Sequence, residues 1–239
     1  MVTGAARWGL ALLWVTSVGS GAGCRARTET PPRGRVARSG VVRSASVAEG
    51  LADAGAWVRR LEAPGRDRWQ RPAWVVERLD LSPGEVVVDL GAGSGYFLPH
   101  LAQAVAPAGQ VLALDVDPDR VRFLTERIDG EGLRGTSAAL IAPDDPGLAP
   151  RSAHRILVVN TWHHLEDRAR YAARLAAGLA SGGAVFVIDF TRDSPIGPPR
   201  EDRLPPRRVV SELERAGLAA EVIEAPLPHQ YVVVGRKRR

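Results

Sequence analysis

The chain has almost no lysine. Lys237 is the only one, so all but one of the 32 basic residues are arginine. A formal charge of +5 over 239 residues therefore reflects a preference for arginine more than a polycationic surface. From residue 59 onward the arginines are scattered among acids, with no basic stripe beside aromatic residues, which argues against a nucleic-acid partner. Cysteine is nearly absent too. Cys24 stands alone, so no intramolecular disulfide can staple the fold or report a redox compartment. Long apolar runs are missing: the run at 8–18 near the N-terminus is too short for a confident membrane span. Metal-ligand spacing is missing as well. The adjacent His163 and His164 diverge, and no third ligand stands at a recognisable distance from them, so no metal site is expected.

What is present is 45% hydrophobic residues, enough for one α/β domain with a tail. The chain divides into three parts. Residues 1–24 have a basic start at Arg7, an apolar middle and a small-residue end, the layout of a secretory signal. Residues 21–24, Gly-Ala-Gly-Cys, resemble the bacterial lipoprotein cleavage box, departing from it at Gly21. That resemblance implies a lipid anchor at Cys24 and membrane association. Residues 25–46 are rich in Arg, Ser, Thr, Pro and Gly and read as a disordered tether. Six arginines between residues 25 and 43 oppose one acid, Glu29. Basic residues prefer the cytoplasmic side of an apolar segment, so an uncleaved anchor facing the cytoplasm is the alternative. Residues 47–239 form the folded domain, beginning with helices around Leu51, Val58 and Leu61 and then Val75, Val76 and Leu79.

The domain is organised around residues 86–97, VVVDLGAGSGYF. A short apolar run ended abruptly by glycines reads as a buried strand of a parallel sheet followed by a tight turn. The apolar stretch 96–105 reads as the helix leaving it. Glycine lets the backbone turn sharply and lets a ligand approach it, and the helix start offers free N–H groups. The dinucleotide fingerprint is G-x-G-x-x-G, whereas Tyr96 stands here where its third glycine would fall. Asp89, two residues before Gly91, would repel a pyrophosphate and suit an ammonium or sulfonium. The next strand, 110–115, ends at Asp115, about twenty residues past the glycines, where an acid commonly meets ribose hydroxyls. Asp117 with Pro118 is expected to cap the following helix.

Asp-x-Gly-x-Gly-x-Gly at 89–95 resembles the cofactor turn of class I methyltransferases, which use S-adenosylmethionine (SAM). The likeness covers roughly residues 57–236. It includes R-W-Q-x-P at 68–72, D-x-G-A-G-x-G-Y-F at 89–97, D-D-P at 144–146, H-H at 163–164, G-P-P at 197–199 and L-P-x-Q-Y at 227–231. It implies a Rossmann-like seven-stranded sheet, mostly parallel with the last strand antiparallel and helices on both faces. By resemblance, Asp89, Gly91, Ala92, Gly93 and Gly95 would hold the methionine end of SAM, and Asp115 with Val116 the ribose. Asp144 or Asp145, after a third strand at 136–141, would meet the adenine. Asn160, which ends the fourth strand, 155–160, is the remaining residue expected to bind the cofactor.

Ligands of open parallel sheets bind at the carboxyl ends of the strands, so the histidines after that strand belong to the cleft, and His163 is the candidate general base. A helix at 171–179 is expected to stop at Gly182 and Gly183, ahead of a fifth strand at 184–190. The proline-rich loop 191–206 is expected to shape the acceptor pocket. Trp69 and Trp74 read as core or pocket wall, and 236–239 as an exposed basic end. The function implied is methyl transfer to a small-molecule acceptor by direct displacement. The alternatives are a tethered nucleoside-binding protein without turnover and an NAD-type oxidoreductase.

Overall fold

The computed structural model describes residue 58 and residues 61–238. The expected leader, the tether, Cys24 and most of the helix expected from residue 47 lie outside the described residues. Among the described residues no helix is long and apolar enough to cross a membrane.

Two short helices, α1 (Arg66–Gln70) and α2 (Pro72–Arg78), lead into β1 (Val86–Leu90). There follow α3 (Leu98–Val105), β2 (Gln110–Asp115), α4 (Pro118–Glu131), β3 (Thr136–Leu140) and β4 (Ala153–Val159). A single 3-10 turn, Trp162–His164, precedes α5 (Arg168–Gly178), β5 (Leu179–Phe190), α6 (Pro206–Arg215), β6 (Ala219–Ile223) and β7 (Gln230–Arg236). The seven strands form one sheet in the order β3-β2-β1-β4-β5-β7-β6. Strands β1 to β5 run parallel, and β7 is antiparallel to both β5 and β6. This is the sheet the motifs imply.

Period-two alternation divides the core. Val87 faces one layer, with Leu79 of α2, Leu101 of α3 and Leu124 of α4. Val88 and Leu90 face the other, with Leu175 of α5 and Val209 and Leu213 of α6. A strand covered on both faces has no polar side to offer, so β1 is almost wholly apolar. Its exception is Asp89, which shares a face with Val87. The chain runs outward from β1 through β2 to β3, then returns to place β4 on the other side of β1. The carboxyl ends of β1 and β4 therefore open the crevice where such sheets bind ligands.

Three local expectations change. The helix after the glycine turn starts at Leu98, with Pro99 in its first turn, while the preceding residues stay in turns. The helix before β5 ends at Gly178, and Gly182 and Gly183 fall inside β5, where the register with β4 shifts between Ala153 and Arg155. These glycines absorb a strand irregularity instead of stopping a helix. The basic end is only partly exposed: the Lys237 ammonium donates to the carbonyls of Ala176 and Leu179, each at 2.7 Å. Asp117 caps α4 as its spacing predicts, accepting from the Asp119 amide at 2.9 Å.

Candidate functional site

A cavity of about 380 Å³ opens at the carboxyl ends of β1, β2 and β4. Its floor is the turn after β1, tied to β2 by the amides of Gly91 and Ala92, which both donate to the Leu114 carbonyl. Gly91 has φ +69°, and a Cβ there would lie 2.4 Å from Thr161 Oγ1. The turn is thus pressed against the segment after β4, and only glycine fits. At Gly95, φ +76°, a Cβ would lie 2.8 Å from the side chain of Leu98 at the start of α3 and 2.9 Å from that of Leu124 on α4. Gly93 donates its amide to Asp115 Oδ2 at 3.0 Å.

Two carboxylates enter this cavity in different states. Asp89 is 3% exposed, and its Oδ2 is buried with no hydrogen-bond partner among the described residues. Burial pushes its carboxyl up to about 7; the Arg66 guanidinium pulls against that shift and Asp115 adds to it. Asp115 is 2% exposed but is anchored, accepting from the amides of Gly93 at 3.0 Å and Asp117 at 3.1 Å. Arg120 lies 3.8 Å away. A carboxylate has about four acceptor positions, so two amides leave Asp115 able to accept from hydroxyls.

The wall opposite β1 is built by Arg66 and Tyr96. The Arg66 guanidinium lies 3.8 Å from the Tyr96 ring centroid and donates to the Leu61 carbonyl at 2.6 Å. The Tyr96 hydroxyl donates to the Asp67 carboxylate. Neither Arg66 nor Tyr96 was expected as a binding residue. Tyr96 is conspicuous only as the residue displacing a glycine, and no spacing singles out Arg66.

The other expected residues divide. Ala92, Val116 and Asn160 line the cavity with Asp89, Gly91, Gly93 and Asp115. Gly95 lies behind them, packed on α3 and α4. Asp144 and Asp145 do not reach the cavity; Ile141 and Pro143 line it there. The two acids turn toward α5, where Arg174 comes within 3.6 Å of the Asp144 carboxylate and 2.9 Å of that of Asp145. The two acids thus sit in an ion-paired loop beside an apolar edge of the cavity, and Asp144 lines an adjoining cavity that shares Pro143, His164 and Tyr171 with it.

His163 lies behind the cavity wall. Its side chain is only 4% exposed, and Nδ1 lies 2.9 Å from both oxygens of Asp189 at the tip of β5. The imidazole on the cavity wall is that of His164, tilted against the His163 ring with centroids 4.0 Å apart. Burial and the His163 charge hold His164 below the usual imidazole value. Trp162 is fully buried and donates to Glu212 Oε2 at 2.8 Å, which pins the turn carrying both histidines to α6. Trp69 lies in tilted ring contact with Phe190 at 6.0 Å and His229 at 6.1 Å, beside the carboxyl end of β5, and Trp74 packs half-buried against the core.

Residues 88–185 match the family model described as a methyltransferase domain. This chain carries a class I, SAM-dependent methyltransferase domain. Among solved structures it is similar to a SAM-dependent methyltransferase from Aquifex aeolicus, at 24% identity and TM-score 0.71, covering 76% of this chain and 97% of that one. Among curated proteins it is 36% identical over 85 residues to a protein-L-isoaspartate O-methyltransferase of Aeropyrum pernix, covering 35% of this chain and 33% of the relative. It is 24% identical over 125 residues to a ubiquinone/menaquinone biosynthesis C-methyltransferase of Hydrogenovibrio crunogenus, covering 52% and 48%. The chain thus spans about a third to a half of the length of these curated relatives.

The cofactor of the methyltransferase domain is SAM, and the residues present fit it. A buried carboxylate oxygen without a partner among the described residues, beside a glycine corner, offers what an ammonium requires, and an anchored acid at the end of β2 offers what a ribose requires.

Proposed function

We propose that the methyltransferase domain transfers the SAM methyl group to a small-molecule acceptor, and that Cys24 tethers it to a membrane. The observation that carries the first part is Asp89 Oδ2, buried at the glycine corner without a partner among the described residues. A buried carboxylate in that state is costly unless a cation arrives, and the amino-acid tail of SAM carries one. SAM supplies a sulfonium methyl open to in-line attack by an acceptor nucleophile. The chain holds the reactants: Asp89 receives the ammonium, Asp115 accepts from the ribose, and Ile141 and Pro143 provide an apolar edge for the base. Alignment of two reactants can supply much of the acceleration. His164, kept neutral by burial, faces the same cavity and can take a proton from an acceptor that must lose one, with His163 and Asp189 behind it.

Titration calorimetry with S-adenosylhomocysteine, SAM and NAD tests the cofactor. The first two bind and NAD does not, and Asp89→Ala weakens both by at least tenfold, roughly 1.4 kcal/mol. Tight NAD binding, or an unchanged affinity in Asp89→Ala, overturns this reading. Fractionation with protease protection tests the tether. Cys24→Ser releases the protein from the membrane fraction, and retention there points to an uncleaved anchor instead.

A further inference from the structure

Two glutamines noted in the sequence motifs, Gln70 and Gln230, meet across 160 positions of chain. Gln70 Nε2 donates to Gln230 Oε1 at 2.6 Å, and Gln230 Nε2 donates to Asn160 Oδ1 at 2.6 Å. Both glutamines are buried. A chain of primary amides can in principle run in either direction, since each group both donates and accepts. Here the direction is decided at its far end. An Arg66 terminal nitrogen contacts Gln70 Oε1 at 3.3 Å, and guanidinium has no acceptor. The Gln70 atom facing Arg66 must therefore be oxygen. Its nitrogen then faces Gln230, the Gln230 nitrogen faces Asn160, and Asn160 must present its oxygen to Gln230.

The consequence falls in the cavity. Asn160 lines it together with Asp89 and Gly91. Its backbone is held at φ +55°, a left-handed conformation that asparagine tolerates better than most residues. With Oδ1 occupied, its NH₂ has no partner among the described residues. Both terminal nitrogens of Arg66 already donate, to Leu61 and to Gln70. Among the described residues the Asn160 NH₂ and the buried Nε of Arg66 are thus donors on the cavity wall without a partner, and Asn160 is the one at the end of β4.

We propose that Arg66, Gln70 and Gln230 form a one-way amide relay that holds Asn160 with its NH₂ toward the amino-acid tail of SAM, where it donates to the tail carboxylate while Asp89 receives the ammonium. Gln70 and Gln230 act through Asn160 and are positioning residues. The inference rests on the SAM reading above and adds to it the group that recognises the carboxylate.

Reversing the relay tests it. In Gln70→Glu the new carboxylate still accepts from Arg66 but cannot donate, so Gln230 must donate to it and Asn160 must donate to Gln230. Asn160 then offers oxygen to the tail carboxylate. Calorimetry on the full chain uses two probes, S-adenosylhomocysteine, which has the amino-acid tail, and 5′-methylthioadenosine, which lacks it. Gln70→Glu binds the first at least tenfold more weakly than wild type and the second within twofold. Asn160→Asp, which places a carboxylate at the same point without touching α1, shows the same selective loss and serves if Gln70→Glu fails to fold. Unchanged affinity for S-adenosylhomocysteine in either variant, or equal loss of both probes in both, overturns the relay. Wild-type protein that binds neither probe overturns the SAM reading itself.

Discussion

Asp89 and Asp115 end neighbouring parallel strands, both buried, yet only Asp115 has protein donors on both of its oxygens. Asp115 accepts from the amides of Gly93 and Asp117, whereas Asp89 Oδ2 meets no donor among the described residues. One acid is therefore part of the fold and the other is held against it. A carboxyl kept near 7 by burial, in a cavity at the switch point of the sheet, marks the place where a charged ligand completes the structure.

That difference predicts a pH dependence. The Asp89 carboxyl sits at about 7 in the folded protein against 3.8 for the free group. A raised folded value means that its stabilising contribution is full below about pH 4 and is lost as pH rises to about 7. The loss is on the order of 4 kcal/mol. Urea denaturation of the ligand-free protein is expected to show wild type falling behind Asp89→Asn across that window. Saturating S-adenosylhomocysteine narrows the gap, because its ammonium pairs with the charged form. A constant difference between the two proteins from pH 4 to 8 would show that Asp89 is already satisfied.

Two glycines with similar backbone angles separate strain from steric fit. Gly91 at φ +69° and Gly132 at φ +63° are both left-handed, but a Cβ on Gly91 would meet Thr161 at 2.4 Å, while one on Gly132 meets nothing within 4 Å. Gly132→Ala should cost about 1 kcal/mol of backbone strain and leave nucleoside binding unchanged. Gly91→Ala should cost more, about 3 kcal/mol with the displaced Thr161, and should abolish S-adenosylhomocysteine binding. Denaturant midpoints and calorimetry on the two variants check both statements.

The parts of this site that were legible in the sequence are local in the chain. Val86 to Leu90 followed by Gly91 and Gly93 specifies a buried strand and a tight turn within eight residues, and Asp115 ends the next strand as its pattern requires. What stayed hidden depends on distant partners. Asp144 and Asp145 read as cavity acids until Arg174, about thirty residues on, is seen to hold them. Of two adjacent histidines, only the position of Asp189 on β5 decides that His163 is buried and His164 faces the cavity. Gly182 and Gly183 have the composition of a helix stop, and only the pairing with β4 shows them to be a strand irregularity. Gln70 and Gln230 stood out as motif residues, but no spacing rule connects positions 160 apart.

The loop between β5 and α6 has its own organising residue. The Arg203 guanidinium donates to five carbonyls, those of Thr191, Arg192, Ser194, Ile196 and Pro198. The loop folds around this cation much as a metal would gather oxygens, and Gly197 presses against the Phe190 ring at the tip of β5. Arg203→Met keeps most of the side-chain length and removes every donor. Trypsin is expected to cut the variant at Arg192 or Arg200 at least tenfold faster than wild type, with the denaturant midpoint changed much less, because the opening is local. Equal cleavage rates would mean that the prolines alone hold the loop.

The scarcity of lysine gives the last prediction an unusually clean readout. Lys237 donates to the carbonyls of Ala176 and Leu179 at 2.7 Å each, where α5 ends and β5 begins. A helix C-terminus leaves carbonyls without partners and carries the negative end of the helix dipole, so an ammonium there contributes in both ways. Its backbone amide also donates to the Gly183 carbonyl at 2.8 Å, which ties the end of β7 to the irregular start of β5. Lys237→Met should cost about 1 kcal/mol, measured by urea denaturation. Because no other lysine competes, acetic anhydride labelling followed by mass spectrometry reads this one side-chain amine. In the folded protein the donated ammonium should react several-fold more slowly than in urea. Equal rates in the two states would show that the cap does not form in solution.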